Sequence, residues 1–440
     1  MLGRVSDPIV DNLLDTLDDQ EVGRRLPRAL APFRTPAYRL LAVSLAFGAF
    51  SQGVWLVALV WEVFRLGGDA GDLSLVSSAS ALGVVIPALV AGVVADRVPQ
   101  KYVLVAVAGV ETTTATLAAV LATLDLTSTW ALAAISFVAG VAMTFYYPAY
   151  SALLPALIPE QDLMAVNGFE GMVRPTIGQA IGPAVAGAVV GVAAPSVAFF
   201  VAAGAMAVAL VALTLVPRTP VRRDLAPPDG HPVRTALADV AEGFAYMART
   251  PWLLSSLLCS CVMVLVIMGP LEVLVPVFIK DVLDGTASQH SWVLAAFGIG
   301  GAVGSFVMAS RPMPRRYLSW LLGAWGVCAL PFIAVAHAHH VWVVVVAAAV
   351  MGATFALPMV IWGTLLQRRV PPELLGRVSS LDFFVSTALM PVSMALVGPF
   401  SDLVGTRATF WVAALVPVLA AAAAWSWGRL GADEVAHPLT

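Results

Sequence analysis

The chain has 440 residues, 60% of them hydrophobic and only 12% charged, with a mean hydropathy of +0.89. That balance excludes an ordinary soluble domain, and a net charge of −3 gives no basic footprint for nucleic acid. The three cysteines, Cys259, Cys261 and Cys328, all fall in apolar runs. The first two lie two residues apart and turn to different helix faces, so neither a disulfide, a metal site nor a cofactor is expected.

Residues 1–39 read as a cytoplasmic N-terminal segment. Asp7-Pro8 fits an N-cap and first turn, and Ile9, Val10, Leu13, Leu14 and Leu17 share one face, which predicts an amphipathic surface helix or a docking site. The first apolar run starts near Leu40 and is too long for the core of a cleavable signal peptide. Twelve such runs follow: 40–64, 73–95, 102–124, 129–149, 163–191, 197–216, 252–279, 291–310, 317–336, 341–364, 378–400 and 408–427. Each approaches the ~20 residues that a helix needs to cross a ~30 Å hydrocarbon core. The predicted fold is therefore an all-α membrane protein of twelve transmembrane helices in two pseudo-symmetric six-helix bundles, residues 40–216 and 252–427. A cytoplasmic linker, 217–251, separates them, and a cytoplasmic tail spans 428–440. The linker carries Pro217, Pro220, Pro227, Pro228 and Pro232, then a predicted amphipathic helix over 233–247.

Lys and Arg set the expected orientation. With both termini and the linker on one side, that side holds 20 of the 24 basic residues; the other holds only Arg65, Lys280 and Arg407, and Arg174 lies within a span. The richer side is expected to be cytoplasmic, which predicts a multi-pass protein of the bacterial inner membrane. The halves echo one another. Val98-Pro99-Gln100-Lys101-Tyr102 after the second span recurs as Met313-Pro314-Arg315-Arg316-Tyr317 after the eighth. Thr144-Phe145 with Pro148 recurs as Thr354-Phe355 with Pro358, and Ile158-Pro159 as Val370-Pro371. A repeat of helical bundles around a central site is the plan of many secondary transporters.

Ionisable residues inside spans are few, and such residues are functional candidates by default. The fifth span reads EGMVRPTIGQAIGPAVAG from Glu170, and Glu170 and Arg174, four apart, share a helix face. Glu272 lies between Pro270 and Pro276 in the seventh span, where a broken helix lining a cavity is expected. Glu111 sits midway along the third span beside Thr112, Thr113 and Thr114, where a structural hydrogen bond is as good a reading as function. Asp382 and Glu62 are expected to reach water near span ends, and His337, His339 and His340 to lie solvated in a short loop. Trp55, Phe145 and Trp362 are candidate aromatics for a central cavity. No nucleophile–base set appears, so an enzyme is not expected.

Four stretches carry a family resemblance that covers roughly residues 33–427. Gly92-Val-Val-Ala-Asp96-Arg97-Val-Pro-Gln-Lys101, after the second span, resembles the loop signature of the major facilitator superfamily. Pro99 and Gln100 depart from its usual Gly and Arg. The resemblance implies that Asp96 latches onto a neighbouring helix N-terminus or onto Arg377, holding the cytoplasmic side shut. Gly178, Gly182, Pro183 and Gly187 resemble the superfamily's exporter signature in the fifth span, with Ala186 in place of one Gly. Small residues at this spacing let two helix backbones touch, and Pro183 is expected to kink the helix. PAYSALLPALIPEQDLMAVN, from Pro148 to Asn167, and LQRRVPPELLGR, from Leu366 to Arg377, with Gly398, Asp402 and Gly405 beyond it, resemble the drug- and siderophore-exporting branch. The contexts of Glu170 and Glu272 are similar to Tap-type multidrug efflux pumps of actinobacteria. Where that branch often has Gly-Asp in the first span, this chain has Ser51-Gln52. Gln52 cannot carry a proton, which moves coupling to Glu170 or Glu272.

The resemblance implies an exporter of drugs or other amphipathic or cationic small molecules, driven by proton antiport through alternating access. Its expected partners are that substrate, protons and the lipid bilayer, and the expected working unit is a monomer. Two other readings are an exporter dedicated to one endogenous metabolite, such as a siderophore, and a membrane scaffold or sensor without transport. The fifth-span signature argues against an importer.

Overall fold

In a computed structural model, residues 32–88, 91, 94, 98–159, 162–217 and 242–439 are described, and every regular element among them is helical. Helix α1 spans Pro36–Arg65, α2 Ala70–Val85, α3 Gln100–Thr123, α4 Thr129–Leu157 and α6 Pro195–Leu215. Between the last two, α5 runs Leu163–Val173, widens into a π-helical segment Arg174–Ile181, and resumes as Gly182–Val192. In the second half α7 is Pro251–Gly269, a π segment Pro270–Leu274 and Val275–Asp281; α8 is Ala287–Ala309; α9 is Tyr317–Val327 with Phe332–Ala336. Helix α10 is Val341–Arg369, α11 is Pro372–Ala388 and Met390–Val404, α12 is Thr406–Trp427, and a short α13 covers Leu430–Ala436.

Eleven of the twelve predicted spans are, among the described residues, long and apolar enough to cross a membrane; the second is the 16-residue apolar helix α2. Helices α4 and α10 run on to Leu157 and Arg369, past the predicted ends at 149 and 364, carrying the chain beyond the apolar band. The predicted N-terminal amphipathic helix and most of the linker lie outside the described residues.

Helix starts follow local chemistry. Asp69 and Thr286 each close a capping box, at the starts of α2 and α8, and Ser128 accepts from the Ala131 N–H at the start of α4. Pro36, Pro195 and Pro251 open α1, α6 and α7, where a missing N–H costs nothing. The π segments have a proline cause as well. Pro175 and Pro270 remove backbone donors, and the helix regains a ladder only by widening. The break in α5 thus begins around Pro175, whereas Pro183, the expected kink, sits in the first turn of the restored α-helix.

The packing repeats in the two halves. Helix α2 lies on α4 as α8 lies on α10, and α1 and α3 flank α6 as α7 and α9 flank α12. Across the halves, α5 packs on α8 and α2 on α11. We call the end where α1 and α7 finish distal and the opposite end proximal. At the distal end Ser288 Oγ donates to Gly187 O at 3.0 Å, and Gly398 N–H donates to Ser74 Oγ at 3.2 Å. The seam is closed by two equivalent contacts: Gly398 presses on Ser74 and Ala70 of α2 as Gly187 presses on Ser291 and Ala287 of α8.

The tail is not a free strand. Glu434, 2% exposed, accepts from the Leu318 and Ser319 N–H groups at 3.0 and 3.1 Å and from Ser319 Oγ at 2.6 Å, capping α9 from α13. Arg369 pairs with Asp433, 2.5 and 3.2 Å, and lies over the Trp252 ring at 4.6 Å. A buried carboxylate at a helix N-terminus is well placed by both dipole and hydrogen bonds. Replacing Glu434 by Ala leaves those donors unpaired, and the loss is expected to be about 2–4 kcal/mol. Thermal unfolding of the detergent-purified protein checks this: E434A melts well below wild type, and Asp402→Asn, at an exposed carboxylate, does not.

Candidate functional site

A cavity of about 440 Å³ opens within the first half. Its walls come from α1 (Ser44, Gly48, Gln52, Trp55), α3 (Val107, Glu111), α4 (Tyr146), α5 (Arg174, Gly178, Gln179) and α6 (Met206, Leu213). This size suits a drug-like ligand, and the mixture is the usual one, apolar walls with a few convergent polar groups. Glu111, held to be as readily structural as functional from sequence, is brought to the cavity facing Gln52. Gln52 also points its amide at Met143 Sδ, 2.8 Å away. What placed Glu111 there is the α3–α6 contact, which turns this face of α3 inward; a single span's composition does not carry that information.

Arg174 opens the π segment. Its guanidinium lies on the cavity wall, 36% exposed, over the rings of Tyr146 and Tyr147, 5.9 Å from each centroid. Glu170 lies one turn back and deeper, 12% exposed. The two charges face one another as predicted, but at 3.7 Å they form an ion pair without a closed hydrogen bond. Among the described residues, Glu170 Oε1, Arg174 Nη2 and the hydroxyls of Tyr38 and Tyr150 are buried with no hydrogen-bond partner. Tyr146 stacks on Tyr150, centroids 5.6 Å apart, and Tyr38 meets Phe169 edge-on. Leaving buried polar atoms open is costly, and such exceptions ask for a partner.

Gly178 of α5 and Gly53 of α1 meet at the cavity floor. A Cβ built on Gly53 would lie 2.3 Å from Gly178 O and 2.7 Å from Pro183 Cδ, and one on Gly182 would lie 2.8 Å from Phe50 O. Gly187 instead meets α8, at Ser291. The predicted touching of backbones is thus α5 on α1 for Gly178, Gly182 and Pro183, and α5 on α8 for Gly187.

Several sequence-level expectations do not meet at this site. Phe145 lines a separate apolar groove with Tyr102 and Val138, and Trp362 is buried among Trp252 and Trp325; only Trp55 of the three aromatics lines the cavity. Asp382 does not reach out to water as its main partner: it accepts from Trp362 Nε1 at 2.9 Å. Glu62 does not reach water at all. It is fully buried and holds Arg65 through two contacts of 2.8 Å, and Arg65 spans on to Asp125. The distal end of α1 is covered by α7 and α8 through the half-to-half seam, which closes off the solvent route. Glu272 lies in the π segment of α7, which packs on α2, α11 and α12, away from this cavity. One residue was missed by sequence reading. His290 in α8, 2% exposed, accepts from Trp61 Nε1 of α1 at 3.4 Å. His337, His339 and His340 are exposed, as expected, and His337 Nε2 also accepts from Trp411 Nε1 at 3.2 Å.

The model of the Major Facilitator Superfamily matches residues 41–389, and again 273–438. The chain belongs to that superfamily. It is similar to the multidrug efflux pump Tap of Mycolicibacterium fortuitum, 26% identical over 397 residues, covering 88% of this chain and 94% of that one. It is also similar to macrolide efflux protein A of Streptococcus pyogenes, 23% identical, covering 84% and 89%. Among solved structures it resembles a mutant of the nucleoside transporter NupG (TM-score 0.69, 14% identity, 88% and 99% covered). It also resembles a bacterial homologue of the lysosomal transporter Spinster in an inward-facing conformation (TM-score 0.68, 15% identity, 91% and 98% covered). The protein is a multi-pass membrane protein of a transporter family.

Of the superfamily's loop signature, Gly92, Asp96 and Arg97 lie outside the described residues, as does the Arg377 side chain. Lys101 is described: its Nζ donates to Thr214 O at 2.7 Å, satisfying a carbonyl at the end of α6.

The floor contact generates a test of its own. Gly53→Val forces α1 and α5 apart, whereas Gly48, on the same helix, has no atom within 4 Å of its missing Cβ. Fluorescence-detected thermal stability should fall by several degrees for G53V and stay at the wild-type value for G48A, a contrast of about 2 kcal/mol or more.

Proposed function

We propose that this transporter is an efflux pump that exports amphipathic small molecules in exchange for protons, by alternating access. The observation that carries the reading is the convergence of Glu111, Gln52, Tyr146 and Arg174 on one cavity, with Glu170 behind Arg174 across an unclosed ion pair. The likeness to Tap and to macrolide efflux protein A supports the direction and substrate class.

The chemistry follows from the pair. With Glu170 ionised, Arg174 is held toward the carboxylate. When Glu170 takes up a proton, the attraction is lost and the guanidinium, already on the cavity wall and over the Tyr146 and Tyr147 rings, is free to move further toward the cavity. Glu111 supplies a second carboxyl in the same cavity, and Gln52 an amide that binds without titrating. Substrate and proton thus compete for one set of groups, which is the requirement of exchange. Each charge moved draws about 2.3 kcal/mol per 100 mV of membrane potential. In this reading the proximal end faces the cytoplasm, as the Arg-rich connections support, and the closed distal seam makes the conformation one that opens inward. Glu272, apart from the cavity in a widened turn, is the remaining proton-carrier candidate.

The experiment is dye transport in proteoliposomes under an imposed pH gradient. Glu170→Gln is expected to lower gradient-driven transport of a fluorescent cationic dye at least about tenfold while leaving protein yield and melting unchanged. Glu111→Gln should weaken it less, and Glu272→Gln tests the alternative carrier. Wild-type activity in all three variants would overturn proton coupling through these acids. No dye movement by the wild type would favour a dedicated metabolite exporter.

A further inference from the structure

At the distal seam the repeat is broken in one place. Gly53 of α1 matches Gly269 of α7, since each presses its backbone on the partner helix of its own half, α5 or α11. Ser74 of α2 matches Ser291 of α8: each lies five residues past its capping residue, Asp69 or Thr286, and each faces the glycine of the opposing helix, Gly398 or Gly187. Counting on from these, Trp61 corresponds to Val277, or to Phe278 if the π turn of α7 adds a residue, and His290 corresponds to Leu73. The α2–α7 counterpart of the Trp61–His290 contact is therefore apolar. One of two equivalent closures is a van der Waals contact; the other is a hydrogen bond onto a titratable ring.

The geometry fixes the state of that ring. Trp Nε1–H only donates, so His290 Nδ1 must be unprotonated to accept at 3.4 Å. A proton on Nδ1 sets two donors against each other and places an imidazolium where only 2% of the residue reaches solvent. The groups around it are accounted for. On α1, Glu62 is already held by Arg65, and Arg65 by Asp125. On α7, Lys280 lies over the Phe64 ring at 4.4 Å and beside Asp281 at 3.4 Å. The α5 stretch Gly182–Val192 and the first 20 residues of α10 carry no ionisable side chain, and Trp342 of α10 stacks on Trp292. Among these, no free carboxylate stands ready to accept a charged His290.

We propose that His290 is a proton-operated latch of the distal gate: neutral, it holds α1 to α8 through Trp61, and protonated, it releases them. This rests on the exchange reading, in which the distal end faces the acidic side of the membrane. Acid on that side would then open the mouth through which protons reach Glu111 and Glu170. His290 is a positioning residue, acting on access rather than on substrate.

The test reads conformation rather than transport. Spin labels at Leu126→Cys and Val282→Cys, both exposed and in the distal connections of the two halves, report the gate width in nanodiscs; the native cysteines are buried. In wild type the long-distance population is expected to rise about fivefold from about pH 8 to about pH 5.5. His290→Gln keeps an acceptor for Trp61 but cannot titrate, and is expected to stay closed at both pH values. Trp61→Phe removes the donor and is expected to be open already at about pH 8 and flat with pH. Glu170→Gln should keep the wild-type response. A pH response in H290Q equal to wild type, or none in wild type, overturns the latch. Wild-type dye transport in Glu170→Gln, Glu111→Gln and Glu272→Gln with the distance response intact overturns the exchange reading and leaves the latch standing.

Discussion

Everything in this fold depends on how closely helix backbones approach one another. In hydrocarbon, apolar side chains gain nothing by leaving lipid for protein, so helices associate through packing and backbone contact. The sites of closest approach here are glycines facing carbonyls: Gly83 and Gly140 between α2 and α4, Gly300, Gly304 and Gly352 between α8 and α10, Gly53 between α1 and α5, Gly269 between α7 and α11. They recur in both halves. A bundle clamped in this way tolerates interruptions that an isolated span would not. The π segments at Arg174–Ile181 and Pro270–Leu274 each start beside a proline, and each lies in a helix gripped by such a contact.

That tolerance is what admits chemistry. A π turn carries one residue more per hydrogen-bonded loop than an α turn, so it shifts the register of the helix beyond it. Arg174 stands where the regular part of α5 ends: its N–H still donates to Glu170 O, four residues back, and its side chain lies on the cavity wall while that of Glu170 lies deeper. The widened turns that follow, beginning beside Pro175, contribute Gly178 and Gln179 to the same wall.

How much of this was legible in the sequence follows from the range of each interaction. Span number, order and the repeat were written in runs of apolar residues and in local motifs, because hydrocarbon thickness acts on each segment alone. The pairing of Glu170 with Arg174 was legible for the same reason, being set by helix spacing. Legibility failed where a residue's surroundings come from another segment. Glu62 looked like a span-end residue bound for water, and is buried because α7 and α8 close over it with Arg65 and Asp125 attached. Glu111 looked peripheral and was turned inward by α6. Glu434, in what read as a loose tail, is buried because α9 begins with free N–H groups beside it. His290 carried no local mark, since its significance lies in Trp61, 229 positions away.

The two halves share a scaffold and differ in what it carries. Counting from Ile158-Pro159 and Val370-Pro371, Glu170 matches Asp382 and Arg174 matches Ser386: the first half carries an ion pair beside its cavity, whereas the second keeps only the carboxylate, bonded to Trp362 among Trp252 and Trp325. A symmetric pair of binding sites would let ligand and proton settle in either half independently, and nothing would force one to leave as the other arrives. Placing the ion pair in one half alone would make its groups shared, and shared groups exclude double occupancy. In the proposed exchange the second half would serve as the stiffer counterpart, tied at its proximal end by Arg369, Asp433 and Glu434. The repeat would then supply two equivalent seams, and the difference between the halves a reason for one to open.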